Sequence, residues 1–287
     1  MMKQLVSLMA VLALLAFSAC SDDDNSQIPK ELCALNFKTY PGLWRQSDAS
    51  VGVLLPDLKA SQENQFNSKY SGERDGDTLY LKPADVSNTV LLPSDGSSLN
   101  LISYQPYSDQ LDKENLSLSI DLREQEKWYA DGFRASNSIS ISAPVDTAVL
   151  INMEDRLATI DLVVREYGEG DIPVKLTKDN IYVTKAALSG TYSFQSGKFE
   201  NLTVFDRYPF SLFDESGRAK GVFIPTDDDL TVIYIDENGK EFVLPIRIAD
   251  GSEIKGVRLL PGTRIVVSII INNQQQATAS LSTKDKL

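Results

Sequence analysis

Apolar residues along this chain recur chiefly at every second position. The segment LSLSIDL (116–122) puts Leu116, Leu118, Ile120 and Leu122 on one side and Ser117, Ser119 and Asp121 on the other. This is the alternation of a strand with one face in a core and one in water. SISIS (138–142) repeats the scheme, and further runs predict strands over 51–55, 78–82, 99–104, 147–151, 157–165, 230–236, 241–247 and 264–272. Only LREQEKWYADGF (122–133) has room for a helical turn or two.

Turn residues support the same reading. Asn238-Gly239 stands between LTVIYID and KEFVLPIR, a strong hairpin signal because both residues tolerate positive φ. Asp95-Gly96 predicts a second hairpin, joining TVLL to LNLISY. Pro245 has no N–H to give to a ladder, which predicts an edge or a bulge there. Polar residues at 152–156 separate TAVLI from the long run LATIDLVVR, with similar numbers of short strands on either side. The pattern is that of an all-β chain with two sandwiches in series, 31–153 and 154–287.

One run breaks the alternation. LVSLMAVLALLAFSA (5–19), behind Lys3, has the length of a signal-peptide core and falls short of the roughly 20 residues of a membrane span. Ser18 and Ala19 before Cys20 resemble the lipobox of bacterial lipoproteins, with Phe17 where Leu is commoner. The expectation is a leader over 1–19, lipid on Cys20 and an acidic linker over 20–30 that contains Asp22, Asp23 and Asp24. An ordinary cleavable signal is the other reading.

Composition removes several function classes. The formal net charge of −12 argues against nucleic acid or anionic lipid as a partner. With no histidine in the chain, Ser-His-Asp and Cys-His catalysis and His-ligated zinc are excluded. Cys33 has no disulfide partner if Cys20 carries lipid. In LCALNF it shares a strand face with Leu35 and Phe37, which reads as a buried thiol, a redox role being the alternative. TDDDL (226–230) lacks the spaced carboxylates of a calcium loop and reads as a solvated connection. No pair of acidic residues is singled out for glycoside hydrolysis. The chain is therefore read as a non-enzyme with no cofactor and no metal. Trp44, Trp128, Tyr104 and Tyr107 either stack on sugars or pack at the ends of sheets.

LLPSDGSSLNLISYQPYS (91–108), with Tyr104, Pro106 and Tyr107, resembles a segment of the fimbrillin family in which two strands flank a glycine turn and end in an aromatic stretch. AVLINMEDRLATIDLVV (148–164) is similar to the family's junction between domains, with Met153-Glu154 where members often carry a histidine. GTYSFQSGKFENL (190–202), GVFIPTDDDLTVIYIDENGKEFVLPI (221–246) and LLPGTRIVVSIIIN (259–272) resemble its second domain.

This resemblance implies two tandem transthyretin-like β-sandwich domains behind a lipoprotein signal peptide. It implies a structural or adhesive subunit of a type V pilus, carried to the outer membrane on a lipid anchor and polymerised at the cell surface. The partners would be other fimbrial subunits and a host or bacterial surface ligand; the alternative is a monomeric surface lipoprotein that binds glycan or protein. In such assembly an N-terminal strand is cut away after an arginine and a neighbour's strand replaces it. Here ALNFKTYPGLWR (34–45) would be the strand removed and Arg45 the cut, with Lys38 and Lys30 as weaker sites. The donor would be RIVVSIIIN, through Ile265, Val267, Ile269 and Ile271, unless that run is only the last core strand of its own domain. The tail 273–287 offers only small side chains at Ala277 and Ala279, with Leu281 beside them.

Overall fold

A computed structural model describes residues 32–39, 50–57, 66–75, 78–93, 97–142, 148–166, 172–243, 246–247, 253–254, 256–271 and 277–284. The leader, Cys20, the linker, Trp44 and Arg45 lie outside the described residues, as do Asp95, Gly96 and Pro245. Among the described residues strands dominate, with one α-helix at Gln125–Asp131 and a short 3-10 turn at Val86–Asn88. The helix falls within the one segment whose spacing allowed it.

The first large sheet has the order Val149–Leu150, Phe37–Thr39, Thr78–Pro83, Asn67–Asp75, Ser50–Leu54, Ser98–Gln105, Arg134–Ala135 and Glu154–Asp155, with Ile139–Ser142 paired beside Ser98–Gln105. Its two central strands are apolar on both faces. Val51, Val53 and Leu101 belong to a smaller core with Phe37, Tyr70, Leu81 and Leu92. Leu54, Ile102 and Tyr104 belong to a larger one. Period-two alternation predicts one wet face for these strands. Instead, every residue from Leu101 to Gln105 is buried, because a second layer covers the other side.

That layer is built mainly from later residues. One sheet runs Leu212–Phe213, Ala219–Phe223, Ala158–Glu166, Arg264–Ile271, Ala277–Lys284, Ile246–Arg247 and Glu253–Ile254. A four-stranded sheet (Tyr208–Pro209, Ile181–Thr184, Thr231–Ile235, Glu241–Val243) and a three-stranded one (Lys198–Phe205, Ala186–Ser193, Ser117–Asp121) complete it. Ile160, Leu162, Val183, Val232, Leu118 and Ile120 all contribute to the larger core. Ser117–Asp121 thus pairs with Ala186–Ser193, across the polar stretch at 152–156. The buried Gln125 side chain fastens the helix to this half: its amide donates to Val222 O (2.8 Å) and accepts from Val222 N (2.7 Å). A side-chain amide there does the work of a neighbouring strand.

The two predicted hairpins end differently. Thr231–Ile235 and Glu241–Val243 pair around the Asn238-Gly239 turn. Only Gly239 has positive φ (78°), and the Asp236 carboxylate accepts from the N–H groups of Asn238 and Lys240. Asn238 therefore does not need the left-handed region expected of it. The Asp95-Gly96 expectation is overturned, since its flanking strands take separate partners. Leu91–Pro93 pairs with Leu32–Ala34, while Ser98–Gln105 pairs with Ser50–Leu54, Arg134–Ala135 and Ile139–Ser142. Burial in two different layers outweighs the local turn signal. The run 241–247 likewise divides about Pro245: Glu241–Val243 stays in the four-stranded sheet, and Ile246–Arg247 pairs with Glu253–Ile254 and Ala277–Lys284.

Close approach at one glycine holds the central strands together. A Cβ on Gly52 would lie 2.1 Å from Tyr104 Cε1 and 2.4 Å from Cζ. Tyr104 is fully buried, and its hydroxyl is fixed by Ser108 O (2.9 Å) and Asn67 Oδ1 (3.0 Å). The ring therefore has little freedom to retreat. Gly52→Ala is expected to destabilise the fold by about 1–3 kcal/mol. For a chain of this size, each kcal/mol lowers Tm by roughly 2–4 °C, a shift that calorimetry would read directly.

Candidate assembly interface

The segment read as a removable N-terminal strand is wedged into the first sheet. Leu32–Ala34 runs antiparallel to Leu91–Pro93, and Leu35 N donates to Val90 O at 2.9 Å. Phe37–Thr39 then enters between two strands, antiparallel to Thr78–Pro83 and parallel to Val149–Leu150. Asn36 and Lys38 give their carbonyls to the N–H groups of Val149 and Ile151, both at 2.8 Å. The alternation of LCALNF is what sends Leu35 and Phe37 inward, 2% and 0% exposed. The side chain of Cys33 lies outside the described residues.

The seat of Phe37 is specific. Its ring meets Tyr70 edge-on, with centroids 5.0 Å apart, and the Tyr70 hydroxyl accepts from Val90 N at 2.8 Å. Burial pushes the Tyr70 pKa up to about 12, against the lowering effect of that hydrogen bond. Tyr104, buried likewise, is also pushed up to about 12. Thr39 is buried too, and its hydroxyl has no hydrogen-bond partner among the described residues, a penalty of about 1–3 kcal/mol by general experience. Taking this segment away would bare ladder groups on Thr78–Pro83, Leu91–Pro93 and Val149–Leu150 and leave an apolar slot. Strand addition in general uses an exposed ladder beside apolar side-chain pockets.

The run expected to supply a donor lies inside the second large sheet. Arg264–Ile271 pairs in parallel with Ala158–Glu166 and antiparallel with Ala277–Lys284. Ile265 and Val267 are 3% and 0% exposed; the side chains of Ile269 and Ile271 lie outside the described residues. Arg264 pins the start of the strand, its Nε donating to Asp161 Oδ2 at 2.8 Å and its terminal nitrogen to Tyr129 at 3.1 Å. The structure does not bring this strand and the N-terminal wedge together in one sheet.

The other residues singled out in the sequence are mostly structural. Trp128 is buried, and its indole N–H donates to Asp121 O; Tyr104 is buried as described. Tyr107 is half-exposed, with Lys69 Nζ 5.5 Å from its ring centroid. Asp227, Asp228 and Asp229 are exposed, and Asp227 pairs with Arg258. Among the described residues no acidic, histidine or cysteine cluster could hold a metal ion. Sequence reasoning missed the turn DESGR (214–218). There Asp214 Oδ1 accepts from the N–H groups of Ser216 and Arg218 and from the Ser216 hydroxyl, and Gly217 has φ 77°. It repeats the chemistry of DENGK (236–240), and that likeness was the available signal.

Phe37→Ala should cost about 3–5 kcal/mol, read as a lower denaturant midpoint. Alkaline pH should act on the same seat. A tyrosine whose pKa is raised on folding contributes stability that is complete below the unfolded value of about 10 and is lost as pH rises through the folded value. The urea midpoint is expected to fall between pH 10 and about 12. The fall should be shallower in Tyr70→Phe, which lacks one of the two most strongly shifted tyrosines.

Comparison with known proteins finds the same fold elsewhere. A cell adhesion protein of Bacteroides uniformis superposes with TM-score 0.64 at 15% identity, covering 91% of this chain and 100% of its own. The tip fimbrial protein Mfa3 from Porphyromonas gingivalis, solved with a C-terminal truncation, gives 0.56 at 10% identity over 88% of this chain and 99% of its own. A fimbrial assembly protein from Parabacteroides distasonis gives 0.52 at 10% identity, with coverages of 88% and 96%. At these identities the likeness is one of fold. No curated protein matches the chain in sequence. The fimbrillin-like family profile, however, matches residues 44–285, and the chain belongs to that family.

Proposed function

We propose that this chain is a structural or adhesive subunit of a type V fimbrium, assembled by proteolysis-triggered strand exchange. Family membership carries the fimbrial role. The observation that supports the mechanism is the seating of Phe37–Thr39 between two strands, with Leu35 and Phe37 as its anchors. In this reading the chain is exported with a leader over 1–19, tethered to the outer membrane through lipid on Cys20 and the linker 20–30, and cut after Arg45. Arg45 stands in the ten-residue stretch between the wedge, which ends at Thr39, and Ser50, where the next strand starts. A cut there frees the whole wedge while keeping every later strand. The unpartnered Thr39 hydroxyl suits a segment that is to be exchanged, since an incoming strand without that hydroxyl escapes its penalty.

The donor comes from the C-terminus in this reading. Arg264–Ile271 is held on both sides, so its Ile265, Val267, Ile269 and Ile271 become available to a neighbour only if the sheet opens. Ala277–Lys284 is itself paired on both sides, antiparallel to Arg264–Ile271 and parallel to Ile246–Arg247, so its release as a donor also requires the sheet to open. Burial of large apolar side chains at about 1.5–3 kcal/mol each, with about 0.5–1.5 per ladder hydrogen bond, competes with an association cost of roughly 4–15 kcal/mol. The smaller core, whose members all precede residue 154, supports a division into domains 31–153 and 154–287, while the larger core draws Leu54, Ile102 and Tyr104 across it. Segment 117–133 then forms an arm of the first domain that packs on the second.

Mass spectrometry of the mature N-terminus from cells tests the mechanism. The expected product begins at Gln46, and polymers should show as heat-resistant ladders on gels. A lipidated Cys20 retained on every molecule would overturn strand exchange and leave an anchored monomeric surface protein. Removing 273–287 should abolish or shorten the polymers; unchanged lengths would exclude the tail as donor.

A further inference from the structure

Eight arginines have described side chains, and six of them are ion-paired: Arg123, Arg134, Arg156, Arg207, Arg258 and Arg264. In a chain with twelve more negative than positive charges, that is the expected fate of a guanidinium. The two exceptions, Arg165 and Arg218, are exposed and line the same crevice, which encloses about 240 Å³. Its remaining walls are Val163, Val164, Pro173, Val174, Ser216 and Gly217.

The crevice is set on a firm frame. Arg165 and Pro173 are register partners across two strands, and Val163 and Val164 beneath are 7% and 1% exposed. Arg218 follows the Asp214-capped turn, whose Gly217 carbonyl accepts from Leu176 N at 3.1 Å. Gly217 is required twice over. Its φ is 77°, and a Cβ there would come within 2.8 Å of Lys175 Cγ. Among the described residues neither cation forms an ion pair, and the Asp214 carboxylate is committed to its own turn and to Lys220.

We propose that this crevice binds the carboxylate of a sugar acid, a single hexuronate-type unit held by Arg165 and Arg218 with its carbon face on Pro173 and Val174. Guanidinium groups bind carboxylates through paired, charge-assisted hydrogen bonds, which selects an acid over a neutral sugar. The volume is smaller than that of a drug-sized pocket and limits the ligand to about one ring. The net negative charge repels a polyacidic partner at range. A group with one carboxylate on a neutral, hydroxylated body meets both conditions. The site shares no residue with the N-terminal wedge, so it stands whether or not the chain polymerises.

Calorimetric titration of the full chain near 0.15 M salt tests this with three probes: methyl glucuronide, methyl glucoside and a blocked glutamate. Saturable binding of the glucuronide alone is expected. It should weaken about tenfold or more in the Arg165→Gln, Arg218→Gln double variant, the effect of losing a charged hydrogen-bonded contact, with Tm unchanged. The double Lys variant should recover part of the loss, because it restores charge without the planar fork. The proposal is overturned if the glucuronide does not bind, if the Gln variant binds it equally well, or if the blocked glutamate binds as tightly, which would make this a peptide-carboxylate site.

Discussion

Two neighbouring strands with apolar side chains on both faces impose the main constraint on this fold. Ser50–Leu54 and Ser98–Gln105 send Val51, Val53 and Leu101 one way and Leu54, Ile102 and Tyr104 the other. Neither face can be left to water, so two layers must form and both must meet this sheet. The placement of Ser117–Asp121 and of the helix beside the later strands follows from covering the second face. Gly52 and Tyr104 sit where that demand is tightest, because a ring with a fixed hydroxyl lies where a larger residue would put its Cβ.

The same constraint explains why the N-terminal wedge matters. Without residues 32–39, the smaller core loses Leu35 and Phe37, and Tyr70 loses its aromatic neighbour. The strands on either side would then present unpaired edges, which natural sheets avoid because such edges recruit other chains. In this structure the wedge keeps that edge covered, which is the part of the geometry that the proposed strand exchange would use.

Much of this architecture was legible in the alternation of the sequence. The β class, the single helical segment, the Gly239 hairpin and the inward set of Leu35 and Phe37 follow from local patterns. Strands such as Asn67–Asp75 and Lys198–Phe205 did not, because the first carries Tyr70 as its single large apolar residue and the second is largely exposed. The Asp95-Gly96 turn misled because a dipeptide reports local φ, whereas the partners of its flanking strands are fixed by distant burial. Arg165 and Arg218 were invisible as a pair. They are far apart in the chain, and only the three-dimensional placement of the acidic residues shows which arginines are left over.

The parallel ladder between Ala158–Glu166 and Arg264–Ile271 also has a temporal meaning. Asp161 and Arg264, bonded to each other, are 103 residues apart, and the intervening chain must be threaded before they meet. Pairings of such high sequence separation are slow to form, since loop closure is paid for before the contact rewards it. During synthesis the second sheet therefore lacks its middle until residues 264–271 emerge. A chain interrupted before residue 264 would hold an open, apolar sheet, so the C-terminal strands act as the completion signal for folding of this half.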